Sequence, residues 1–258
     1  MPAAAATFQM NKAVTAGGVA LSVVAPVCNE EDNVGPLLQE IETALEGVCD
    51  FEVIFVNDRS SDGTLEALQA LKQAHPKFRA LSHHENAGQS RALRTGILAA
   101  RGAVIGTLDG DGQNDPADLP KLYQALVRND ADGDLAMVAG ERVGRKDTAA
   151  KRFASRIANT VRQSILKDGA SDTGCGLKVF YRDAYLRLPY FDHMHRYIPA
   201  LIQREGFKAE FLPVGHRPRV HGASKYNNLS RALVAFRDIL GVVWLRARFR
   251  SPGEISEL

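Results

Sequence analysis

The sequence predicts an α/β protein with a mostly parallel central sheet and helices on both faces. Three observations lead to this fold class. Apolar runs of strand length alternate with stretches of helical periodicity along the first half of the chain, which is the pattern of parallel strands joined by right-handed crossovers. Polar residues follow each of these strands, at the edge where such sheets bind ligands. The apolar content of 45% and the charged content of 24% are ordinary for a globular protein.

The first half of the chain supplies four strands and three helices. The strands are short apolar runs bounded by turn residues, and they are predicted over residues 20–27, 51–58, 78–86 and 103–109. In the helices, apolar residues recur every three or four positions, and these are predicted over residues 30–45, 60–74 and 87–102. Because helices separate these strands, we expect the carboxyl ends of the strands to meet at one edge of the sheet.

The second half of the chain is less regular. An apolar strand is predicted over residues 135–142, and it precedes an amphipathic helix over 151–166. Shorter strands are predicted within 172–183 and 207–220, and a second amphipathic helix over 229–250. No linker separates two independent folds, so the predicted organisation is a single α/β domain with appended segments. These parts are a mobile tail over 1–18, the domain over 19–228, an interface helix over 229–250 and a tail over 251–258.

Composition argues against several classes of protein. The net charge of +2 is too small to indicate nucleic-acid binding. Cys28, Cys49 and Cys175 are far apart, which argues against a zinc site or a disulfide framework and fits a reducing compartment. The N-terminal residues have no signal-peptide run, and no apolar run approaches the ~20 residues that span a bilayer. We therefore expect a cytoplasmic protein that can lie on a membrane without crossing it.

A cluster of carboxylates ends the fourth predicted strand. The stretch TLDGDGQNDP, residues 107–116, places three aspartates within seven residues. Like charges this close repel, and a divalent cation with bound phosphate would relieve the repulsion. Such a cation favours one or two carboxylates together with phosphate oxygens. Asp109 and Asp111 are therefore candidate metal ligands, and the alternative is a solvated turn rich in Asp and Gly.

Asp58 ends the second predicted strand in a similar way, within VNDRSSDG. A carboxylate at this edge could accept hydrogen bonds from a base or a ribose. The alternative is a turn and a helix cap, for which Asp62 and Thr64 are suitable residue types.

Five motifs in order resemble those of a known family. The segments VVAPVCNEEDNV, VIFVNDRSSDGT, NAGQSRALRTG, TLDGDGQNDP and DTGCGLKVF look like family 2 inverting glycosyltransferases with the Rossmann-like GT-A fold. They look most like the polyprenyl-phosphate branch, which includes dolichol-phosphate mannose synthases and bacterial undecaprenyl-phosphate sugar transferases. The resemblance runs from about residue 20 to 245. It implies transfer of a sugar from a nucleotide-diphosphate sugar to a polyprenyl phosphate, with Mg²⁺ or Mn²⁺ as cofactor.

The resemblance also implies roles for individual residues. Those expected in the nucleotide-sugar pocket are Pro26, Asn29, Glu30, Asp58, Asp109 and Arg156. The expected metal ligands are Asp109, Asp111 and Gln113. Those expected to act in catalysis are Asp111, Arg142, Arg219 and Lys225, the last two in a mobile basic loop. The alternative for these cations is a salt-bridged helix face and a solvated loop.

The sequence departs from the family pattern at two positions. The commoner motif is Asp-Ala-Asp, and Gly110 stands in the middle here. Many relatives have Lys where this chain has Gln89, so Arg91 or Arg94 is a candidate to replace that lysine.

A lipid phosphate acceptor would fit the cations and the final helix. Such a phosphate is already anionic, so it needs arginines to hold it rather than a base. The helix has an apolar stripe with arginines beside it and a nearby tryptophan: Leu229, Leu233, Phe236, Leu240, Val243 and Trp244. Such a helix can lie on an anionic bilayer. The alternatives are packing on the core and docking on a separate membrane subunit.

Three other functions stay open at this point. A transferase acting on a sugar hydroxyl would need a carboxylate base, for which Asp172 is the candidate. A nucleotidyltransferase would need a basic, Gly-rich loop near the first strand, where PVCNEED is acidic. A non-catalytic nucleotide-sugar-binding regulator would be expected to have degraded motifs, and none is degraded.

Overall fold

A computed structural model describes residues 18–128, 133–143, 162–218 and 228–250, with only the backbone for residues 228–233. The first half forms the predicted alternation. Its strands are β1 (Leu21–Val27), β2 (Phe51–Asn57), β3 (Phe78–Ser82) and β4 (Val104–Thr107). Its helices are α1 (Glu31–Leu45), α2 (Thr64–Ala74) and α3 (Gln89–Ala99). All pairings among β1 to β4 are parallel, as predicted.

β3 ends at Ser82, earlier than the predicted residue 86. The next residue, His83, still donates its backbone N–H to the carbonyl oxygen of Asn57 in β2. Its Nδ1 lies 2.8 Å from Asp58 Oδ1, and its Nε2 lies 2.9 Å from Thr95 Oγ1. These side-chain bonds hold the start of the loop that leads to α3.

The second half adds three strands and several short helices. The strands are β5 (Leu135–Arg142), β6 (Lys178–Tyr181) and β7 (Lys208–Val214). The helices are α4 (Leu119–Val127), α5 (residues 162–166), α6 (Arg182–Leu186), α7 (Ile198–Arg204) and α8 (Asn228–Ala247). Single 3₁₀ turns occur at Pro116–Asp118 and Met194–Arg196. Only the end of the predicted segment 172–183 is a strand, because its glycines form a loop.

The seven described strands make one sheet in the order β3-β2-β1-β4-β6-β5-β7. Its pairings are parallel except those of β6, which lies antiparallel between β4 and β5. Every residue of β2 is buried, as is every residue of β1 except Pro26. Helices therefore cover both faces, which is why these strands read as continuous apolar runs. The carboxyl ends of β1, β2 and β4 meet at one edge.

α8 packs on the domain with only part of its surface. Ile239 and Val242 are buried there, and Tyr197 Oη donates a 3.1 Å hydrogen bond to the carbonyl oxygen of Ala235. Another side of the helix exposes four large apolar side chains: Phe236, Leu240, Val243 and Trp244. In the described part of the chain, no helix has both the length and the apolar character needed to cross a membrane.

Candidate active site

The candidate site lies just after β4, where the chain makes a tight turn. The backbone N–H of Asp109 donates a 2.9 Å hydrogen bond to Oδ1 of Asn114, and the N–H of Gln113 donates one of 3.1 Å to Oδ1 of Asp111. Asn114 is buried, so water competes little for the first bond. The turn therefore keeps Asp109, Asp111 and Gln113, the three expected metal ligands, on one short stretch of backbone.

The Asp109 carboxylate lies among protein atoms, although part of the residue's surface remains open to solvent. Gln89 Nε2 donates a 2.8 Å hydrogen bond to its Oδ1. Gly176 approaches so closely that a Cβ atom there would lie 2.4 Å from Asp109 Oδ2. Burial and the negative charge of Asp111 raise the pKa of Asp109 to about 6. An ionised Asp109 is thus short of nearby positive charge, which a cation would supply.

Two cationic side chains lie within electrostatic reach of Asp109 and partly oppose the rise of its pKa. Lys178 on β6 is buried, and its Nζ donates a hydrogen bond to the carbonyl oxygen of Cys175. Burial lowers the pKa of Lys178, against the opposing effect of Cys175 and Asp109. Arg142 forms a two-bond pair with Asp172, with N···O distances of 2.6 and 2.8 Å. Asp172 thus holds the guanidinium of Arg142 in one orientation.

Gly110 separates the two carboxylates, and its surroundings leave no room for a side chain. A Cβ atom at this position would lie 2.7 Å from Cγ1 of Val27 and 2.8 Å from the carbonyl oxygen of Pro26. The turn therefore packs directly on the end of β1. Pro26, expected in the nucleotide pocket, borders the turn through its backbone.

We expect Gly110→Ala to lower the free energy of unfolding by about 1–3 kcal/mol, the usual cost of overpacking. Gly241→Ala is the matched control, because Gly241 lies in α8 with nothing within 4 Å of an added Cβ. Alanine favours a helix over glycine by ~1 kcal/mol, so the control should be slightly more stable than wild type. Urea denaturation followed by circular dichroism measures both. Equal stability of Gly110→Ala and wild type would contradict the close packing.

Asn29 and Glu30 tie the end of β1 to the loop after β2. Asn29 has a φ of 58°, which is uncommon outside glycine. Its Oδ1 accepts a 2.7 Å hydrogen bond from the N–H of Ser61, and its own N–H donates one of 2.8 Å to Ser60 Oγ. The N–H of Glu30 donates a 2.9 Å hydrogen bond to Thr64 Oγ1. These contacts place both residues at the carboxyl edge of the sheet.

Asp58 is 4% exposed, and the protein itself engages its carboxylate. The N–H of Ala87 donates a 2.9 Å hydrogen bond to Oδ1, and the N–H of Gly88 donates one of 2.8 Å to Oδ2. His83 Nδ1 also lies 2.8 Å from Oδ1. In this structure Asp58 therefore anchors the loop that enters α3, in addition to any contact with a base or ribose.

The helix α3 begins beside this loop with Gln89, and Gln89 itself contacts Asp109. Arg91 and Arg94 instead lie over the ring of Tyr190, with guanidinium carbons 3.9 and 5.3 Å from its centroid. Neither arginine takes the place of the lysine that many relatives have at position 89. The neutral amide of Gln89 makes the contact.

Three of the predicted site residues lie outside the described residues: Arg156, Arg219 and Lys225. Conversely, two residues that the sequence did not mark contribute to the site: Asn114 and Lys178. Gln89, noted in the sequence only as a departure from the lysine of many relatives, contributes as well. Lys178 had a detectable signal, because a lysine within an otherwise apolar strand needs a buried partner. Asn114 had none, since polar amides are ordinary in turns.

Within the described ranges, no three His, Cys, Asp or Glu side chains come together as a metal cluster. The turn offers two carboxylates, with the amide of Gln113 next to them in sequence. Such a donor set suits a hard cation whose remaining ligands are phosphate oxygens and water. The raised pKa of Asp109 fits this reading, because Lys178 and Arg142 do not fully offset its burial and the charge of Asp111.

Two curated relatives are similar over most of the chain. A dodecaprenyl-phosphate galacturonate synthase from Rhizobium johnstonii is 34% identical over 238 residues, which cover 90% of this chain and 69% of the relative. An undecaprenyl-phosphate 4-deoxy-4-formamido-L-arabinose transferase from Pseudomonas fluorescens is 32% identical over 209 residues, which cover 80% of this chain and 60% of the relative. The chain thus spans between 60% and 69% of the length of these two relatives.

Solved structures share the fold at lower identity. Glucosyl-3-phosphoglycerate synthase from Mycobacterium tuberculosis, solved with Mn²⁺, UDP and glucosyl-3-phosphoglycerate, has a TM-score of 0.66 at 17% identity, over 92% of this chain and 83% of that one. A mannosyltransferase from Pyrobaculum calidifontis, solved with GDP-Man and Mn²⁺, has a TM-score of 0.62 at 19% identity, over 90% and 65%. These similarities confirm the predicted GT-A fold class.

A family model that matches the core of the domain shows which family the chain belongs to. The model described as Glycosyl transferase family 2 matches residues 22–188. That span contains all five motifs from which the family is expected, including the Asp109–Asp111 turn. The relatives' names also agree with the predicted polyprenyl-phosphate branch. The chain belongs to glycosyl transferase family 2.

Proposed function

We propose that the protein transfers a sugar from a nucleotide-diphosphate sugar to a polyprenyl phosphate, with inversion at the anomeric centre and with Mg²⁺ or Mn²⁺ as cofactor. The observation that carries this proposal is the Asp109–Asp111 turn at the carboxyl edge of the parallel strands, where burial and the neighbouring carboxylate raise the pKa of Asp109 despite two nearby cations. The names of the two relatives support a polyprenyl-phosphate acceptor.

The donor would bind against the ends of β1, β2 and β4. The residues proposed to line its pocket are Pro26, Asn29, Glu30, Asp58, Asp109 and Arg156. Those proposed to hold the cation are Asp109, Asp111 and Gln113. When bound, the cation neutralises the charge that grows on the departing nucleoside diphosphate. The chain contributes the fixed turn, the Gln89 hydrogen bond that orients Asp109, and the loops that Asn29 and Asp58 hold in place.

The acceptor phosphate would need cations rather than a base, because it is already ionised at neutral pH. Arg142, Arg219 and Lys225 are the residues proposed to hold it, and Asp111 is proposed to act on the donor side through the cation. Arg142 has the geometry for this role, since its two bonds to Asp172 fix the planar guanidinium before the phosphate arrives.

The Arg142–Asp172 pair is also relevant to the alternative acceptor, a sugar hydroxyl. That reaction needs a base, and Asp172 is the candidate. Both Asp172 oxygens accept hydrogen bonds from Arg142, so this carboxylate is already engaged in an ion pair. This pairing supports the phosphate acceptor over the hydroxyl.

A transfer assay tests the proposal. The protein is incubated with a panel of UDP-sugars and GDP-sugars, a short polyprenyl phosphate and Mn²⁺ or Mg²⁺, and products are identified by mass spectrometry. We expect a lipid-linked sugar phosphate that disappears when a chelator removes the cation. Transfer only to free sugar acceptors would support the hydroxyl alternative. Nucleotide-sugar binding without any product would support the regulator.

We also propose that the protein meets its lipid acceptor at a membrane surface, through α8. The exposed stripe of Phe236, Leu240, Val243 and Trp244 lies on a different side from the residues that pack on the domain. Arg237 on the same helix and Arg248 just after its end are exposed. Apolar side chains beside arginines are typical of helices that lie in an anionic bilayer surface. A separate membrane subunit is the alternative occupant of this stripe.

Trp244 provides the measurement, because it is the single tryptophan of the chain and is 58% exposed. We expect its emission to shift to shorter wavelength with vesicles containing phosphatidylglycerol, and salt should weaken this shift. The double change Phe236→Ser and Leu240→Ser should lower vesicle affinity by about tenfold or more. Full burial of such a side chain contributes roughly 1.5–3 kcal/mol, and about half of each is exposed and available to the bilayer.

Leu98→Ser is the matched control, because Leu98 is 52% exposed but lies on α3. It should bind vesicles like wild type. Emission that is unchanged by vesicles in the wild-type protein would contradict the membrane proposal and favour the separate subunit.

A further inference from the structure

The first turn of α3 determines how two site carboxylates are held. Gln89 in that turn donates to Asp109, and the N–H groups of Ala87 and Gly88 just before it donate to Asp58. Yet no side chain caps this end of the helix. Asp58 anchors the loop that precedes the helix, and without a side-chain cap the first turn itself must rest on another part of the protein.

That other part is the 3₁₀ turn at His195. Ser90 Oγ lies 2.7 Å from His195 Nδ1, and it accepts a 3.3 Å hydrogen bond from the backbone N–H of His195. Ser90 is 1% exposed. Burial, with a smaller effect of nearby cations including Arg196, holds the pKa of His195 well below its usual range. The imidazole is thus neutral, and its Nδ1 shares one hydrogen bond with the Ser90 hydroxyl, in which the ring tautomer sets the donor.

The segment that carries His195 contacts α3 before this residue and is anchored on α8 after it. Before it, Tyr190 lies under the guanidinium of Arg91, 3.9 Å from ring centroid to Cζ. After it, Tyr197 Oη bonds to the backbone of α8 at Ala235. His195 is therefore a fixed point against which the start of α3 can rest.

We propose that His195 is a positioning residue for the donor site, which holds the first turn of α3 through Ser90 so that Gln89 meets Asp109. The inference rests on the proposed function, because it concerns how the donor and its cation are received. His195 acts through Ser90 and Gln89 and does not itself contact the reacting groups.

Binding of a nucleoside diphosphate with Mn²⁺, measured by isothermal titration calorimetry, tests the proposal. We expect His195→Leu and Ser90→Ala each to weaken binding by roughly tenfold, the effect of losing one buried hydrogen bond. His195→Asn should retain binding within about threefold, because its Oδ1 can accept the same bond. The double variant should lose no more than either single variant, since both changes remove one interaction.

His75→Leu is the matched control. His75 Nδ1 lies 2.8 Å from Glu42 Oε2 and joins the end of α2 to α1, so its loss should lower the melting temperature without changing nucleotide affinity. A purely structural role for His195 predicts that same result for His195→Leu and would overturn the inference. Wild-type protein that binds no nucleoside diphosphate would instead overturn the proposed function, and this inference with it.

Discussion

Asp111→Asn is expected to reduce sugar transfer by about a thousandfold, the scale on which losing a group that stabilises developing charge acts in enzymes. The change keeps the shape of the side chain, and the Asn oxygen can still accept the hydrogen bond from the N–H of Gln113. It removes one of two carboxylates that would hold the cation. Initial rates at saturating Mn²⁺ measure the effect.

The metal-free stability of this variant separates lost chemistry from lost folding. Asp111 repels the ionised Asp109, so Asp111→Asn should melt no lower than wild type without metal. Asp115→Asn is the matched control, because Asp115 lies in the same loop but caps the next 3₁₀ turn and pairs with Arg217. The control should keep its activity. An Asp111→Asn variant within tenfold of the wild-type rate would remove Asp111 from the metal site.

Mn²⁺ is expected to raise the melting temperature more near pH 7.5 than near pH 5, because of Asp109. Its pKa is raised from 3.8 to about 6, so between these values the folded state holds a proton that the unfolded chain has released. Stability therefore falls as pH rises through this window, and the loss is complete above about pH 6. The shift corresponds to roughly 3 kcal/mol at most. A bound cation offsets this loss only where Asp109 is ionised.

Thermal melts with Mn²⁺ and with chelator, at both pH values, measure the difference. In Asp109→Asn the gain from Mn²⁺ should be small and nearly independent of pH. Its metal-free form should also melt above wild type near pH 7.5, since it carries no ionised carboxylate in this environment. A gain from Mn²⁺ in wild type that is equal at both pH values would contradict the coupling between the ion and Asp109.

In α8, the sequence pattern predicts the helix, and the tertiary packing decides which of its apolar residues are buried. Its periodicity predicts an amphipathic helix over 229–250, and the structure has one at Asn228–Ala247. From the sequence alone, its apolar residues could either pack on the core or be exposed at the surface. The structure has both: Ile239 and Val242 pack on the domain, while Phe236 and Leu240 are exposed.

The sequence by itself determined the features that depend on neighbours along the chain. These are the alternation of strands and helices, the parallel first half, and the Asp109–Asp111 turn, because strand burial and turn geometry act over a few residues. Tertiary structure alone decided the contacts between distant residues: the antiparallel β6, Gln89 on Asp109, Arg142 on Asp172, and Ser90 on His195. The Ser90–His195 pair is separated by 105 positions, and no local pattern specifies which distant polar groups will share a buried hydrogen bond.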